Sequence, residues 1–419
     1  MRGQTFRAKC VLPVNRAKIP NTMLVRKTLL LAAASLLVTI ALSAEDAIGD
    51  IRTLFDGKLR PDLQVNTFRH IDRLFPSRTV PRGPSVSPLP ESSQPLKDIS
   101  FTSGNRKYDL ADYLSTNRVS GLLILKDGKI VLEDYQLGNT AKDHWVSWSM
   151  VKSISSTLVG AAVQDGYISS LDDQMTKYMP ELKGSAYDGA TVRNVLQMSS
   201  GVKWDETYTD PKSDRRQMLE LQISQKPGDV VKFMTTRPRA GAPGTVWNYS
   251  TGETHIVGAL IRAAVKRPVA QYLSEKIWSK LGMEDDATWW LESPGGLEVG
   301  GSGLSARLRD YGRFGLFVLS GGRVGDTQVV PPGWFTEAGT SKIVGGKPVN
   351  YGYMWWTYDS SNPVHEGAFK ANGIFGQSIY LSPRERVVVV VWSARSKPSG
   401  VFPIDDNDFF AGVVNALHQ

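Results

Sequence analysis

The chain has 419 residues, 41% of them hydrophobic, enough to bury a large core in one domain or in two closely packed ones. Its formal charge of +8 is concentrated at the start, because residues 1–44 hold seven Lys or Arg and no acid, leaving 42 basic against 41 acidic residues in the rest. That balance argues against a nucleic acid partner, and the single cysteine, Cys10, excludes a disulfide framework, a thiolate zinc site and a cysteine nucleophile in residues 45–419.

Residues 1–44 read as a secretory signal. Arg26 and Lys27 precede "TLLLAAASLLVTIALSA", an uncharged run of 17 residues closed by small side chains. Cleavage near Ser43 or Ala44 gives a secreted or periplasmic protein with no stable membrane insertion. An uncleaved anchor is the alternative, although the run is slightly short for a membrane span. Residues 45–97 turn Pro- and Ser-rich toward their end and read as an extended N-terminal arm. Next, "SGLLILKDGKIVLEDYQLG" supplies two apolar, β-branched runs joined at Asp127-Gly128, a hairpin signal. The following stretch, "SWSMVKSISSTLVGAAVQDGYI" from Ser147 to Ile168, has the pattern of an amphipathic helix. From about 165 to 290 the pattern is mostly helical, broken at "KGSAYDG" and "RAGAPGT". Strand character returns in "YGYMWWTY", "GQSIYLSP" and "RVVVVVWSA", and "DDNDFFAGVVNALH" reads as a closing helix.

Strands at both ends with helices between them predict an α+β fold. An antiparallel sheet assembled from both chain ends would be flanked by helices, with a helical lobe inserted. The sheet lobe is expected over about 98–165 and 290–419 and the helical lobe over about 166–290, with a cleft between them as the place for a site. The first turn of the 147–165 helix falls at that junction.

Ser149 and Lys152 stand three residues apart, on one face of that helix. Serine needs a base to take its proton as it attacks, and a lysine dried by Trp145, Trp148, Ile154 and Leu158 loses enough pKa to be one. The helix N-terminus also favours negative charge developing nearby. On position alone, however, Ser149 reads equally well as a helix cap. The spacing is short enough to occur by chance, as Ser200 and Lys203 show in "SSGVKW", with Gly201 between them in a loop. The five histidines, His70, His144, His255, His365 and His418, have no ligand spacing, so neither a metal nor another cofactor is expected.

Two later stretches add to the pair. "VWNYSTGETHIVGALI" places Tyr249 just before a helix, and "KANGIFGQSIYLSP" places a Gly-rich turn at the entry to a strand. With "SMVK" they stand in the order of the three motifs of serine β-lactamases and penicillin-binding proteins. The chain resembles the serine hydrolases of the class C β-lactamase fold, and within them the 6-aminohexanoate-dimer (nylon-oligomer) hydrolases and related carboxylesterases. The residues that carry the resemblance are "SWSMVKSISSTLVGAAVQDGYISSLDD", "VLQMSSGVKWDETYTDPKSD", "WNYSTGETHIVG", "GGSGLSARLRDYGRFG" and "GIFGQSIYLSPRERVVVVV", and it covers about residues 65–419.

The resemblance implies that Ser149 forms an acyl-enzyme while Lys152 and Tyr249 share the general-base and general-acid work. A lysine ammonium beside the phenol is expected to pull its pKa down. The oxyanion would rest on the backbone N–H groups of Ser149 and of Ile374, in the turn from Gly373 to Gly376, where glycine permits close approach. Tyr208, in "WDETYTDP", matches a tyrosine that contacts the scissile amide nitrogen in nylon-oligomer hydrolases. Trp204, Trp247, Gly373 and Gly376 complete the expected substrate-binding set. Aromatic residues crowd these motifs (Trp145, Trp148, Trp204, Tyr208, Trp247, Tyr249). Singly such residues usually pack a core, but as a group they read as an apolar pocket for an acyl chain.

Two departures bear on the substrate. The second motif reads Tyr249-Ser250-Thr251 and lacks the Asn of Y-x-N. The third has Lys370 in "GAFKANGIFGQ" but no K-T-G, so the fixed cation that helps hold a β-lactam carboxylate in relatives is missing. The expected partner is therefore a small-molecule ester or linear amide. A β-lactamase or D,D-peptidase is the first alternative, and a non-catalytic binding protein with the same fold the second. An α/β-hydrolase is disfavoured, since "GGSGL" does not complete a G-x-S-x-G elbow. No feature of the sequence points to an oligomeric state.

Overall fold

The valine run near the C-terminus becomes a strand of a six-stranded antiparallel sheet. In chain order its strands are β1 (Val119–Lys126), β2 (Lys129–Tyr135), β3 (Trp356–Thr357), β4 (Phe369–Asn372), β5 (Ser378–Ser382) and β6 (Val387–Ser393), arranged β3-β4-β5-β6-β1-β2. Both chain ends thus contribute to one sheet. The computed structural model describes residues 47–418 apart from 360, 399 and 401, and the leader expected over 1–44 lies outside the described residues. Residues Ile48–Gln419 form one unit.

Every residue of β6 is buried because the sheet is covered on both faces. Alternation shares the run between two cores. Val388 and Val390 join Leu123 and Leu125 in the larger one, while Val387, Val389 and Val391 join Leu122 and Ile124 in the smaller one. The main helices, in chain order, are α1 (Val151–Gln164), α2 (Thr251–Val265), α3 (Leu308–Leu319) and α4 (Asp406–Ala416). Helix α3 lies on the first face, and α4 covers the second through Phe409, Phe410, Val413 and Val414. The β1–β2 turn has Asp127 at φ 52° and Gly128 at φ 79°, the pair of left-handed residues that a tight two-residue hairpin needs. Between α1 and α2 lie the shorter helices Val192–Leu196, Asp214–Ser224 and Asp229–Thr235.

Two segments differ from expectation. Helix α1 is not amphipathic in the sense of having a wet face, since Val151 to Ala162 are all buried. Its polar positions are small hydroxyls that find carbonyls indoors: Ser153 Oγ donates to Met354 O (2.6 Å), Ser155 Oγ to Gly300 O (2.7 Å) and Thr157 Oγ1 to Ser153 O (2.8 Å). The segment 45–97 is not wholly an extended arm. Ile51–Phe55 and Pro61–Arg69 are helices, and Ser77–Val80 is a strand. The reason is local: Ile51, Leu54 and Phe55, and again Val65 and Phe68, recur at helical spacing and bury that stripe in the larger core.

Phe68 is fully buried, with ring centroids 5.5 Å from Trp145, 5.4 Å from Trp148 and 5.1 Å from Phe375. Phe68→Ala is expected to lower stability by about 3–5 kcal/mol, read as a reduced denaturant midpoint. A change below about 1 kcal/mol would show that the N-terminal helices are peripheral to the core.

Candidate active site

Ser149 owes its position to a second, four-stranded antiparallel sheet. Its strands run in the order Ser77–Val80, Ala287–Trp290, Leu304–Ala306, Trp145–Val146. After the last of these, Ser147 N–H donates to Leu304 O (2.7 Å) and the chain turns through a short 3₁₀ segment, Trp148–Met150, into α1. Trp148 takes φ 45°, a left-handed conformation that costs a bulky residue about 1–3 kcal/mol. Four rings hold it there, with centroids at 5.8 Å (Phe55), 5.4 Å (Phe68), 5.8 Å (Trp290) and 5.2 Å (Phe375). Such pairs contribute about 0.5–1.5 kcal/mol each beyond burial, enough to offset the strain.

Lys152 is buried beneath this turn. Its Nζ lies 3.0 Å from Ser149 Oγ, 3.0 Å from Thr251 Oγ1 and 2.8 Å from Gly301 O. Thr251, which stands where the Y-x-N motif has Asn, therefore still gives the lysine a polar side-chain partner. Burial pulls the Lys152 pKa from 10.5 down to about 7; Glu206 opposes the shift and Arg215 adds to it. A neutral amine one turn from a serine is thus available near neutral pH.

Tyr249 hydrogen-bonds Ser149, and Lys152 Nζ lies 5.2 Å from the centroid of its ring. The expected lowering of its pKa is not found. Burial, followed by the charge of Glu206, pushes the phenol well above its ordinary value, with the Ser149 hydrogen bond only partly opposing. The physical reason is that the same dry setting neutralises Lys152, which removes the cation that the expectation relied on.

Glu206, two residues before Tyr208, joins these groups together. Its carboxylate accepts hydrogen bonds from Trp204 Nε1, from the Thr251 backbone N–H (2.9 Å), from the Thr251 hydroxyl and from Tyr208. The loop that carries it is pinned by local capping. Thr207 N–H donates to Asp205 Oδ1 (2.9 Å), Ser213 Oγ donates to Thr207 O (2.6 Å), and Arg216 Nη1 donates to Tyr208 O (3.1 Å) and Asp56 Oδ1 (2.7 Å).

The Gly-rich turn closes the other side. A Cβ on Gly373 would come within 2.7 Å of Ser147 O, so only glycine lets β4 end this close to the Ser149 turn. In the turn, Gly373 N–H donates to Gln377 O (2.7 Å) and Phe375 N–H to Gln377 Oε1 (3.2 Å). The Ile374 N–H between them, like that of Ser149, has no hydrogen-bond partner among the described residues. Two unpaired donors beside a serine hydroxyl form a place where an oxyanion can be held.

A cavity of about 600 Å³ opens on these groups, lined by Ser149, Glu206, Thr207, Tyr208, Tyr249, Trp356, Asn372, Gly373 and Ile374. Sequence reasoning placed Ser149, Tyr208, Tyr249, Gly373 and Ile374 on it. Trp204 and Trp247 are not on its lining: Trp204 is buried and bonds Glu206, and Trp247 packs 5.8 Å from Tyr351 and 6.2 Å from Trp356. Trp145 and Trp148 are buried core behind Ser149. Gly376, at φ 91°, shapes the turn without lining the cavity. Glu206, Thr207, Trp356 and Asn372 were missed, although Glu206, Thr207 and Asn372 stand inside the stretches quoted for the motifs. Lys370 bonds Asn407 and lines a neighbouring polar cavity with His365 and Asp405.

Comparison with protein families matches residues 111–410 to the family described as Beta-lactamase. The chain is 28% identical over 349 residues to a 6-aminohexanoate-dimer hydrolase of Paenarthrobacter ureafaciens, a match that covers 79% of this chain and 85% of that protein. Among solved structures, a Bacillus anthracis protein assigned as a 6-aminohexanoate-dimer hydrolase superposes with a TM-score of 0.73 at 23% identity, covering 86% of this chain and 94% of that one. A family VIII carboxylesterase superposes with a TM-score of 0.56 at 16% identity, covering 74% and 94%. At these identities the two superpositions speak for the fold.

Proposed function

This chain belongs to the beta-lactamase family and is a hydrolase of the serine β-lactamase fold, and we propose that it cleaves small carboxylic esters or linear amides through an acyl-enzyme on Ser149. The observation that carries the proposal is Lys152 Nζ, buried, with a pKa brought to about 7 and 3.0 Å from the Oγ of Ser149, which itself lines an accessible cavity. Neutral Lys152 takes the serine proton as Oγ bonds to the carbonyl carbon. The Ser149 and Ile374 N–H groups receive the developing oxyanion. The C–O or C–N bond then breaks. Its leaving atom takes a proton through the neutral Tyr249 hydroxyl, which gives one proton as it accepts another from the Lys152 side. Water repeats the sequence on the acyl-enzyme and frees the acid.

The preference for esters and linear amides rests on two observations. Among the described residues no lysine lines the Ser149 cavity, and Lys370 instead bonds Asn407 and lines the neighbouring cavity, so the usual partner for a β-lactam carboxylate is missing there. Trp356, Tyr208 and Ile374 instead offer apolar surface for an acyl chain. The charged, hydrophobic and small-residue pattern of residues 1–44 supports export, with a mature chain that starts after the leader.

Intact mass after incubation with an organophosphonate ester tests the acyl-enzyme, and the expected result is one adduct, mapped to Ser149. The same spectrum of protein expressed from the full chain reads whether residues 1–44 have been removed. No adduct would overturn the acyl-enzyme reading. Turnover of nitrocefin above that of p-nitrophenyl esters and linear amides would put a β-lactamase in its place.

A further inference from the structure

A neutral amine has two N–H bonds and one lone pair, and Lys152 Nζ has three polar neighbours. What each neighbour can do decides where the lone pair points. Gly301 O can only accept, so it takes one N–H. Thr251 Oγ1 could donate or accept, but Glu206 removes the choice. The Thr251 hydroxyl proton goes to Glu206 Oε1, leaving only lone pairs toward the lysine. Both N–H bonds are then committed, and the lysine lone pair faces the Ser149 hydroxyl, the arrangement in which serine gives up its proton.

Resting on the acyl-enzyme reading above, we propose that Glu206 is a positioning residue which, through the Thr251 hydroxyl, aims the Lys152 lone pair at Ser149. Its own orientation is fixed by Trp204 Nε1 and by the Thr251 N–H, so the carboxylate has little freedom to turn away. The charged and titratable groups that face Lys152 are Glu206, Arg215 and the Tyr249 ring, and Glu206 is the one that favours its protonated form. A purely structural role would be different in kind. The Thr251 N–H belongs to the first turn of α2, and a carboxylate there stabilises the helix without touching the chemistry.

The test is kcat/KM against pH, with Tm, for wild type, Glu206→Gln, Thr251→Val and Thr251→Ser. Removing the negative charge lowers the lysine pKa, so the acid limb of Glu206→Gln is expected about one pH unit below that of wild type. The plateau should fall about 10- to 100-fold, because an amide cannot accept from all four donors. Thr251→Val should lower kcat by a similar factor with KM little changed, and Thr251→Ser should restore it. A lowered Tm with an unmoved limb and an unchanged plateau would reduce Glu206 to a helix cap and overturn the proposal. If Glu206→Gln does not fold, the threonine pair decides, and equal kcat for the valine and serine variants overturns it. A phosphonate adduct on wild-type Ser149 is read first. Its absence counts against the acyl-enzyme, whereas a labelled enzyme with unresponsive variants counts against Glu206 alone.

Discussion

Ser149→Ala is expected to lower kcat for a short-chain p-nitrophenyl ester by about 10⁴- to 10⁶-fold. The loss is large because every other group here acts through the serine oxygen. In the proposed acyl-enzyme route Lys152 receives the serine proton, Tyr249 hydrogen-bonds the serine, and the Ser149 and Ile374 N–H groups hold the oxyanion formed by its attack. The fold should be untouched. Ser149 sits on a turn held by the rings around Trp148, and no part of that packing uses the hydroxyl. The residual rate then measures what the oxyanion donors and the cavity achieve with water alone. Activity within tenfold of wild type would mean that the acyl group is carried elsewhere or not at all.

Lys152→Met is expected to cost about 10²- to 10⁴-fold in kcat, the range for losing a positioned base. Methionine matches the volume and needs no hydrogen bonds, so it suits a buried site better than alanine would. The pH profile gives the sharper reading. With its pKa at about 7, Lys152 is protonated and unable to accept a proton below that pH, and neutral above it. The wild-type kcat/KM should therefore rise with pH through an inflection near 7. In the methionine variant that limb should vanish, leaving a low rate without the inflection. An inflection near 7 that survives in the variant would assign it to another group, and the base would have to be sought elsewhere.

Much of the site was legible because its first pair is local. Ser149 and Lys152 meet through helix geometry alone, and a helix built from buried, small and β-branched residues keeps the lysine dry. The hairpin at Asp127-Gly128 and the valine strand are equally local, set by turn chemistry and by alternation. What the lysine touches next is another matter. Gly301 O lies 149 residues away in the chain and Thr251 99, and Glu206 reaches Thr251 across 45. A glutamate beside a tyrosine in a loop carries no mark that its carboxylate will collect four donors. The tryptophans show the same limit. Their size requires burial, but whether a ring ends as wall or foundation depends on which neighbours arrive, and Phe55 and Phe68 arrive from a segment that the composition suggested was extended. The pKa of Tyr249 was misjudged because charge state is a property of the whole enclosure: once burial discharges Lys152, its effect on the phenol disappears.

By itself the sequence determined the α+β class, the strands and helices with strong periodicity, the pairing of Ser149 with Lys152, and Tyr249 as a further candidate for the same site. Each of these follows from spacing along the chain or from motifs that stay close in sequence. Tertiary structure alone decided the left-handed turn at Trp148, the pairing of Thr251 with Lys152, the place of Glu206 and the lining of the cavity. Those depend on long-range contacts and on desolvation, and both exist only once the chain has closed around them.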